Sequence, residues 1–248
     1  MVFVSHYHED HFRYDAEIYR DRGVWAKDPT RMINASQEAR ARELWKALDG
    51  TCRLDTAEGR RYETADCELS ASPPLAHGVE GGGLGYVVAL TVTDRREGFR
   101  FVHASDVQGP LSAVAAAYLI RERPSLLYLA GPPAYLEARV GRVLIEQGVE
   151  HLLRIIDRTG CRVIMDNHAL RDADYPERFR RLWETDRVVT AAGFLGLDDR
   201  PLEARRRILW QIKRKPAGRM APRLKRDWTS GKMARPHPDR RAKGGTSE

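Results

Sequence analysis

Apolar runs and amphipathic stretches alternate along the second half of the chain. Short apolar runs at 126–130 and 161–166 predict buried strands. The apolar positions within 111–123 and 143–159 recur at the spacing of helices that bury one face. Because strands and helices follow one another in this way, the pattern indicates an α/β fold with helices packed on a sheet.

In the first half the pattern predicts short strands around one long helix. Asn34, followed three positions later by Gln37, is a capping signature, and Asp49-Gly50 ends the apolar stripe that follows it. The other predicted elements are a strand at 1–5, a helix at 10–20, a loop at 23–32, meandering strands within 52–70, and strands at 86–92 and 99–103. Later in the chain the pattern predicts helices at 175–185 and from 201 to about 215.

Positive charge is concentrated at the end of the chain. The net charge is +7, but residues 205–248 carry 15 Lys and Arg against 3 Asp and Glu, which leaves −5 for residues 1–204. After Pro216 the sequence has Gly, Pro, Lys and Arg without an apolar period, which predicts disorder over 216–248. We therefore expect a domain at residues 1–204, followed by a basic helix and tail at 205–248.

Composition favours a cytoplasmic protein. The chain has no run of about 18 apolar residues, so we expect no membrane span. Its first residues lack the pattern of a signal peptide. The cysteines Cys52, Cys67 and Cys161 are far apart, as expected for thiols in a reducing compartment. The oligomeric state stays open.

The chemistry of the sequence is concentrated between His6 and His11, where three histidines and two carboxylates fall within six positions. On an extended segment His6 and His8 can point at one metal ion, while Asp10 and His11 can turn towards a second. Neutral imidazoles and carboxylates are ordinary zinc ligands, and iron or manganese accept the same donors.

Three later residues stand at predicted strand ends or turns, where polar groups reach the rim of a sheet: His77, Asp106 and His168. Each alone is more typical of a turn or a surface, and only their order after the cluster makes them candidate ligands. Strand alternation places His103 on the opposite face from Asp106, which predicts a core or outer-shell role. Asp166 is either a residue that orients a ligand or an ordinary strand-end carboxylate.

The pattern H-x-H-x-D-H after a buried strand, followed by a histidine, an aspartate and a histidine, resembles the metallo-β-lactamase fold superfamily. The resemblance implies an αββα sandwich with two metal ions. It implies that one ion is held by His6, His8 and His77, that the other is held by Asp10, His11 and His168, and that Asp106 bridges them. In that superfamily a hairpin and several strands precede the motif, so the resemblance also implies an N-terminally truncated fold here.

Longer motifs over residues 1 to about 210 resemble an uncharacterised prokaryotic branch of predicted metallo-hydrolases. These motifs are Ser5-His6-Tyr7-His8, His77-Gly78-x-Glu80-Gly81, His103-Ala104-Ser105-Asp106, Gly131-Pro132-Pro133-x-Tyr135-Leu136 and His168-x-x-Arg171-Asp172. Asn167 departs from that branch, which tends to have a second histidine there.

The resemblance implies a metal-dependent hydrolase in which a metal-bridging hydroxide attacks an ester, amide or phosphodiester bond. Asp10 is the candidate for proton transfer to the leaving group, with a metal-bound water as the alternative. We expect a small-molecule substrate of unknown class. Arg139 and Arg171, which follow strand-end loops, either bind its phosphate or carboxylate or are solvated surface residues.

Two other functions stay open. One is a nuclease or nucleic-acid-processing member of the same superfamily, because the basic tail could engage phosphates without sequence preference. The other is a truncated fragment that binds metal without turnover.

Deletion of residues 216–248 should leave metal content and any hydrolytic rate nearly unchanged. Every candidate ligand precedes Arg205, and the deleted segment lacks the apolar pattern needed to join a core. Metal analysis and turnover of a small ester or phosphodiester measure the outcome, and loss of either would contradict the prediction. If the tail binds nucleic acid, the same deletion should abolish a salt-sensitive affinity.

Overall fold

Two β-sheets lie at the centre of the fold in the computed structural model, which describes residues 1–214. The strands are β1 (Val2–Val4), β2 (Gly23–Ala26), β3 (Arg53–Thr56), β4 (Arg61–Glu63), β5 (Cys67–Ala71), β6 (Leu75–Ala76), β7 (Tyr86–Val87), β8 (Leu90–Asp94), β9 (Arg100–His103), β10 (Leu126–Ala130), β11 (Arg162–Asp166) and β12 (Val188–Val189). The helices are α1 (Ala35–Leu48), α2 (Ala113–Glu122), α3 (Glu137–Val140), α4 (Arg142–Thr159), α5 (Tyr175–Arg178), α6 (Arg180–Trp183), α7 (Ala191–Phe194) and α8 (Arg206–Arg214).

The smaller sheet is parallel, with the order β1-β2-β3. The larger sheet has the order β12-β11-β10-β9-β8-β5-β4; its first four strands are parallel and the remaining neighbours antiparallel. Parallel neighbours need a crossover, and α2 and α4 provide it between β9 and β10 and between β10 and β11. The carboxyl ends of β9 and β11 therefore reach the same edge.

Alternate residues of the strands bury their side chains on opposite sides and so define four layers. Trp25 and Phe3 of the smaller sheet pack against Ala71 and Leu90 of the larger one. On the outer face of the smaller sheet, Val24 packs with residues of α1. On the outer face of the larger sheet, residues of β9, β10 and β11 pack with α2 and α4. This order confirms the predicted α/β class and the αββα sandwich; that strands are missing before β1 stays a prediction.

The best marked helix is confirmed in its bounds and its cap. The Gln37 N–H donates to the Asn34 side chain at 2.9 Å, so the first turn of α1 is closed by a side chain that contributes about 1 kcal/mol. Leu44 and Leu48 bury its inner face.

The predicted helix at 10–20 is wrong, because only a 3-10 turn at Ala16–Ile18 forms in this part of the described chain. Phe12 and Tyr19 are buried against α1, whereas Tyr14 and Ile18 between them are exposed. The Tyr19 hydroxyl donates to the Arg13 carbonyl at 2.8 Å and holds a loop closed. The aromatic anchors therefore shape this segment more than helix propensity does.

The predicted loop at 23–32 is wrong over its first four residues, because Gly23–Ala26 form β2, the central strand of the smaller sheet. Residues 27–32 form a loop, as predicted. Val24, Trp25 and Ala26 are all buried, since both faces of this sheet are covered. A strand of four residues without alternation gives little signal in the sequence.

Two long predicted elements are divided. The strand at 86–92 becomes β7 and β8, because the Val88 N–H donates to the Ser5 carbonyl (3.0 Å) and the Ala89 N–H to Ser72 Oγ (2.8 Å). The helix at 175–185 becomes α5 and α6, with Phe179 between them. The last predicted helix begins later, at Arg206.

The chain forms one unit over Met1–Leu209 and a second from Trp210 onwards, so the division falls inside α8. The predicted disorder of 216–248 lies outside the described residues. No helix in the described part of the chain combines the length and the apolar character that a membrane span requires. A cytoplasmic location stays a prediction.

Replacement of Gly131 by alanine should destabilise the fold by about 1–3 kcal/mol. A Cβ at this position, directly after β10, would lie 2.6 Å from the Cβ of Ala169 and 2.7 Å from the Met165 side chain. Urea unfolding measures the change. Gly83→Ala is the control, because a Cβ there meets nothing within 4 Å. Equal midpoints for the two variants would contradict this packing.

Candidate metal centre

The candidate ligands follow strand ends that meet at one place. His6 and His8 follow β1, His77 follows β6, and His168 follows β11. Asp106 stands three positions after β9. Ser105 and Asn167 adopt left-handed backbone conformations (φ of 53° each), so the chain turns sharply just before Asp106 and His168.

The loop that carries the first cluster is held by α1. Tyr7 is fully buried, and its N–H donates to Gln37 Oε1 at 2.8 Å. Its carbonyl accepts from Arg40 Nε at 2.7 Å, and its hydroxyl accepts from Trp45 Nε1 at 2.7 Å. Because Tyr7 separates His6 from His8, these bonds set the directions of both imidazoles.

One carboxylate oxygen is the centre of the cluster. Oδ2 of Asp106 lies 3.2 Å from Nε2 of His77, 3.2 Å from Nε2 of His11, 3.3 Å from Nε2 of His168 and 3.8 Å from Nε2 of His6. His8 contacts two of these histidines, since its ring centroid lies 4.8 Å from that of His6 and 4.8 Å from that of His77. His6, His8, His77 and Asp106 each offer a ligand atom, and these atoms lie within 4.8 Å of one another.

Unpaired nitrogen atoms show that this group suits a metal ion. Nε2 of His6, Nε2 of His11 and Nδ1 of His77 are buried without a hydrogen-bond partner among the described residues. Nε2 of His11 nevertheless lies 3.2 Å from Oδ2 of Asp106. A buried polar atom without a partner costs about 1–3 kcal/mol. Coordination would satisfy Nε2 of His6 and His11, and imidazole with carboxylate is a donor set that zinc accepts.

A second layer of polar groups orients the ligands. Nδ1 of His6 lies 3.0 Å from Ser5 Oγ, which is 2.7 Å from Ser105 Oγ. Nδ1 of His168 lies 2.9 Å from the Tyr135 hydroxyl. Asn167 Nδ2 donates to Oδ1 of Asp106 at 3.0 Å. Such partners set the ring orientation and tautomer of metal-binding imidazoles.

Sequence reasoning missed these outer partners as functional residues. The available signal was position in or beside a motif. Ser5 and Ser105 belong to blocks that contain a candidate ligand, Tyr135 belongs to the block at 131–136, and Asn167 directly precedes His168. In the sequence, Asn167 stands out only because the similar proteins tend to have histidine there. In the structure its amide donates a hydrogen bond to Oδ1, the second carboxylate oxygen of Asp106.

Asp10 is the most exposed of the seven predicted ligands, with 57% of its side chain accessible. Its Oδ2 lies 3.8 Å from Nε2 of His11 and 3.5 Å from NH2 of Arg171. The structure thus brings six predicted ligands together, four of them buried and His8 and His11 half-buried, and places Asp10 at the solvent rim beside an arginine.

His103 and Asp166 take positions outside this group. The His103 ring stacks on Tyr128, with centroids 5.2 Å apart, and both rings line a cavity of about 320 Å³ beside His11 and Asp106. Burial lowers the pKa of His103. Asp166 accepts from the Asn167 N–H at 2.7 Å, the ordinary role of a strand-end carboxylate.

Burial and close packing of like groups set the electrostatics. Burial holds the pKa of His6 well below its usual range, and neighbouring histidines lower it further. Burial also lowers the pKa of His8, to about 4. Burial alone would raise the pKa of Asp106, but the surrounding imidazoles outweigh it and hold that pKa far below its usual range. Burial alone would lower the pKa of His11, but the nearby Asp106 carboxylate outweighs burial and raises that pKa.

The fold is an αββα sandwich with a possible metal site where histidines and an aspartate gather at its strand ends. The chain belongs to the UPF0282 family. It is 40% identical over 222 residues to a UPF0282 protein of Methanopyrus kandleri, covering 83% of this chain and 75% of that protein. To one of Pyrococcus furiosus it is 36% identical over 228 residues, covering 86% and 72%.

Likenesses to solved structures are weaker. Unliganded yeast PDE1 has a TM-score of 0.45 and 13% identity, over 76% of this chain and 65% of that one. A CmlA beta-hydroxylase variant has a TM-score of 0.42 and 12% identity, over 66% and 35%. No family model matches the chain.

In the metal-free protein His8 should stay neutral at pH 6, because burial lowers its pKa to about 4 from a usual value of about 6.5. His11 should be the more protonated of the two, because Asp106 raises its pKa. Folding stability should accordingly fall as the pH drops from about 6.5 towards 4, since the unfolded chain then binds a proton that folded His8 excludes.

Imidazole NMR titration of metal-free protein measures both groups. The same titration of urea-unfolded protein provides the reference, because its histidines should titrate near the usual value. A titration of His8 near the usual value would contradict the burial seen here.

Proposed function

We propose that the protein is a metal-dependent hydrolase that cleaves an ester, amide or phosphodiester bond of a small molecule. The observation that carries this proposal is the single oxygen of Asp106 with four imidazole nitrogens 3.2–3.8 Å away. A carboxylate surrounded by imidazoles, two of which place unpaired buried nitrogens 3.2–3.8 Å from its oxygen, suits positive charge placed between them.

The ligands divide into two sets around Asp106. One set is His6, His8 and His77; the other is His11 and His168, with Asp10 at the rim. Ions held there would lower the pKa of a water molecule towards neutrality and polarise the bond to be cleaved. Nitrogen and oxygen donors leave zinc, iron and manganese possible.

The chain's own residues contribute charge balance, orientation and proton transfer. Asp106 stays ionised because its imidazole neighbours hold its pKa far below the usual range, so its charge is available to offset two cations. Ser5 and Tyr135 keep the rings of His6 and His168 in place. Asp10 is exposed, so it can pass a proton between solvent and a leaving group, the role we assign to it.

The cavity beside His11 and Asp106 is suited to the reacting part of a small substrate. It holds about 320 Å³ and is lined by Asp10, His103, Tyr128 and Asn167 among others. Pockets for small molecules commonly combine an aromatic wall with a few polar groups in this way. The basic tail, on which the alternative of nucleic-acid processing depends, lies outside the described residues. Metal binding without turnover is the other alternative hypothesis.

Asp106→Asn should reduce metal content and turnover together while the fold persists. The amide keeps the shape but removes the shared charge, so metal affinity should fall by more than the roughly 10- to 100-fold typical of losing an outer-shell partner. Metal analysis, circular dichroism and hydrolysis assays with zinc-supplemented protein measure the three properties. Asp157→Asn, at an exposed position of α4, is the matched control and should change none of them.

Wild-type protein should carry about two ions per chain. A wild type that binds no metal after zinc supplementation would overturn the proposal. A wild type that binds metal but hydrolyses no ester, amide or phosphodiester would favour the alternative without turnover.

A further inference from the structure

We propose that Arg171 binds an oxyanion of the substrate, a phosphate or a carboxylate next to the bond that is cleaved. This inference rests on the proposed hydrolase function and narrows its substrate class to anionic compounds. It also distinguishes Arg171 from Arg139, which the sequence presents as an equal candidate.

Arg171 is held beside the metal centre through Tyr135. Its guanidinium lies over the Tyr135 ring, 5.9 Å from the centroid, and NH1 lies 3.4 Å from the Tyr135 hydroxyl. The same hydroxyl is 2.9 Å from Nδ1 of His168, and the two rings stack with centroids 6.0 Å apart. Arg171 is therefore separated from a candidate ligand by one side chain, in the 3-10 turn Ala169–Arg171 that follows His168.

The guanidinium has donors to spare. Its Nε is buried and has no hydrogen-bond partner in the part of the chain that the structure describes. NH2 lies 3.5 Å from Oδ2 of Asp10, a longer contact than the roughly 2.7–2.9 Å of a charge-assisted hydrogen bond. An arginine that is already positioned, and whose N–H groups are not all hydrogen-bonded, can bind an anion with little rearrangement.

Arg178 and Arg139 are placed differently from Arg171. Arg178 already forms ion pairs with Glu137 and Asp172. Arg139, on α3, is exposed to solvent. Only Arg171 of these three touches a predicted ligand, because Asp10 reaches it from the first cluster.

The geometry favours an oxyanion over other ligands. A planar guanidinium matches the oxygens of carboxylate and phosphate groups, which it can bind through parallel hydrogen bonds. Asp10 provides the resting partner, and its exposed carboxylate can give way to a substrate anion. His11 lies 3.8 Å from Asp10 and 3.2 Å from Asp106, so the anion would sit at the rim and the scissile bond further in.

Calorimetry with inorganic phosphate and with acetate tests binding on the full-length, zinc-supplemented protein. Arg171→Gln should weaken binding of the preferred anion by about tenfold or more, the effect of losing a charged hydrogen bond. Arg171→Lys, which keeps the charge but not the fork, should bind with intermediate strength. Arg139→Gln should bind as the wild type does. Which anion responds distinguishes a phosphate from a carboxylate substrate.

Kinetics with para-nitrophenyl compounds adds a second readout. For bis(para-nitrophenyl) phosphate or para-nitrophenyl succinate, Arg171→Gln should raise KM about tenfold with a smaller effect on kcat. The neutral ester para-nitrophenyl acetate should be hydrolysed as by the wild type. Metal content and thermal unfolding are measured in parallel to establish that the variant is folded and loaded.

Three results would overturn the inference. They are unchanged anion affinity in Arg171→Gln, an equal loss for neutral and anionic esters, and a loss of metal, which would assign Arg171 to supporting the ligands. Failure of the proposed hydrolase function can be told apart from failure of this inference. If the wild type shows no turnover, calorimetry still compares anion binding by the Arg171→Gln and Arg139→Gln variants.

Discussion

The buried charge of Asp106 is the constraint on which the site and much of the surrounding fold depend. A carboxylate with 3% of its surface exposed is costly unless it is compensated. Here compensation comes from four imidazoles on one oxygen and the Asn167 amide on the other. These partners belong to segments that follow β1 of the smaller sheet, β11 of the larger sheet and β6, which pairs with β7 in a separate two-stranded sheet. All three sheets must therefore be in place before the carboxylate is satisfied.

The loop between β1 and the first 3-10 turn shows how the sandwich prepares the ligands. The Ser5 carbonyl is fixed by Val88, at the point where the chain passes from β7 to β8. Tyr7 is fixed by Gln37 and Arg40 of α1. The imidazoles of His6 and His8 are thus oriented by two layers of the fold at once. Ligands that are oriented before binding lose less freedom when an ion arrives, which favours tight and selective coordination.

Burial divides the site into an inner and an outer part. The inner part contains imidazoles around one carboxylate, and burial lowers the pKa values of His6 and His8. At the rim, Asp10 and Arg171 are more exposed and carry opposite charges. Solvent can replace the contact between them. This division suits a site in which the interior holds metal and the rim handles charged reactants.

The sequence by itself determined the types and order of the candidate ligands and the strongly capped helix α1, because these depend on local spacing and on short-range hydrogen bonds. It also indicated the α/β class through the alternation of its second half. Only the tertiary structure decided that residues 10–20 form a loop, that residues 23–26 form a central strand and that the predicted strand at 86–92 is interrupted at Val88. The roles of Tyr135, Asn167 and Arg171 likewise depend on partners 33 to 161 positions away, such as His168, Asp106 and Asp10. Contacts across such separations arise only when the layers pack, and they leave no periodic signal in the chain.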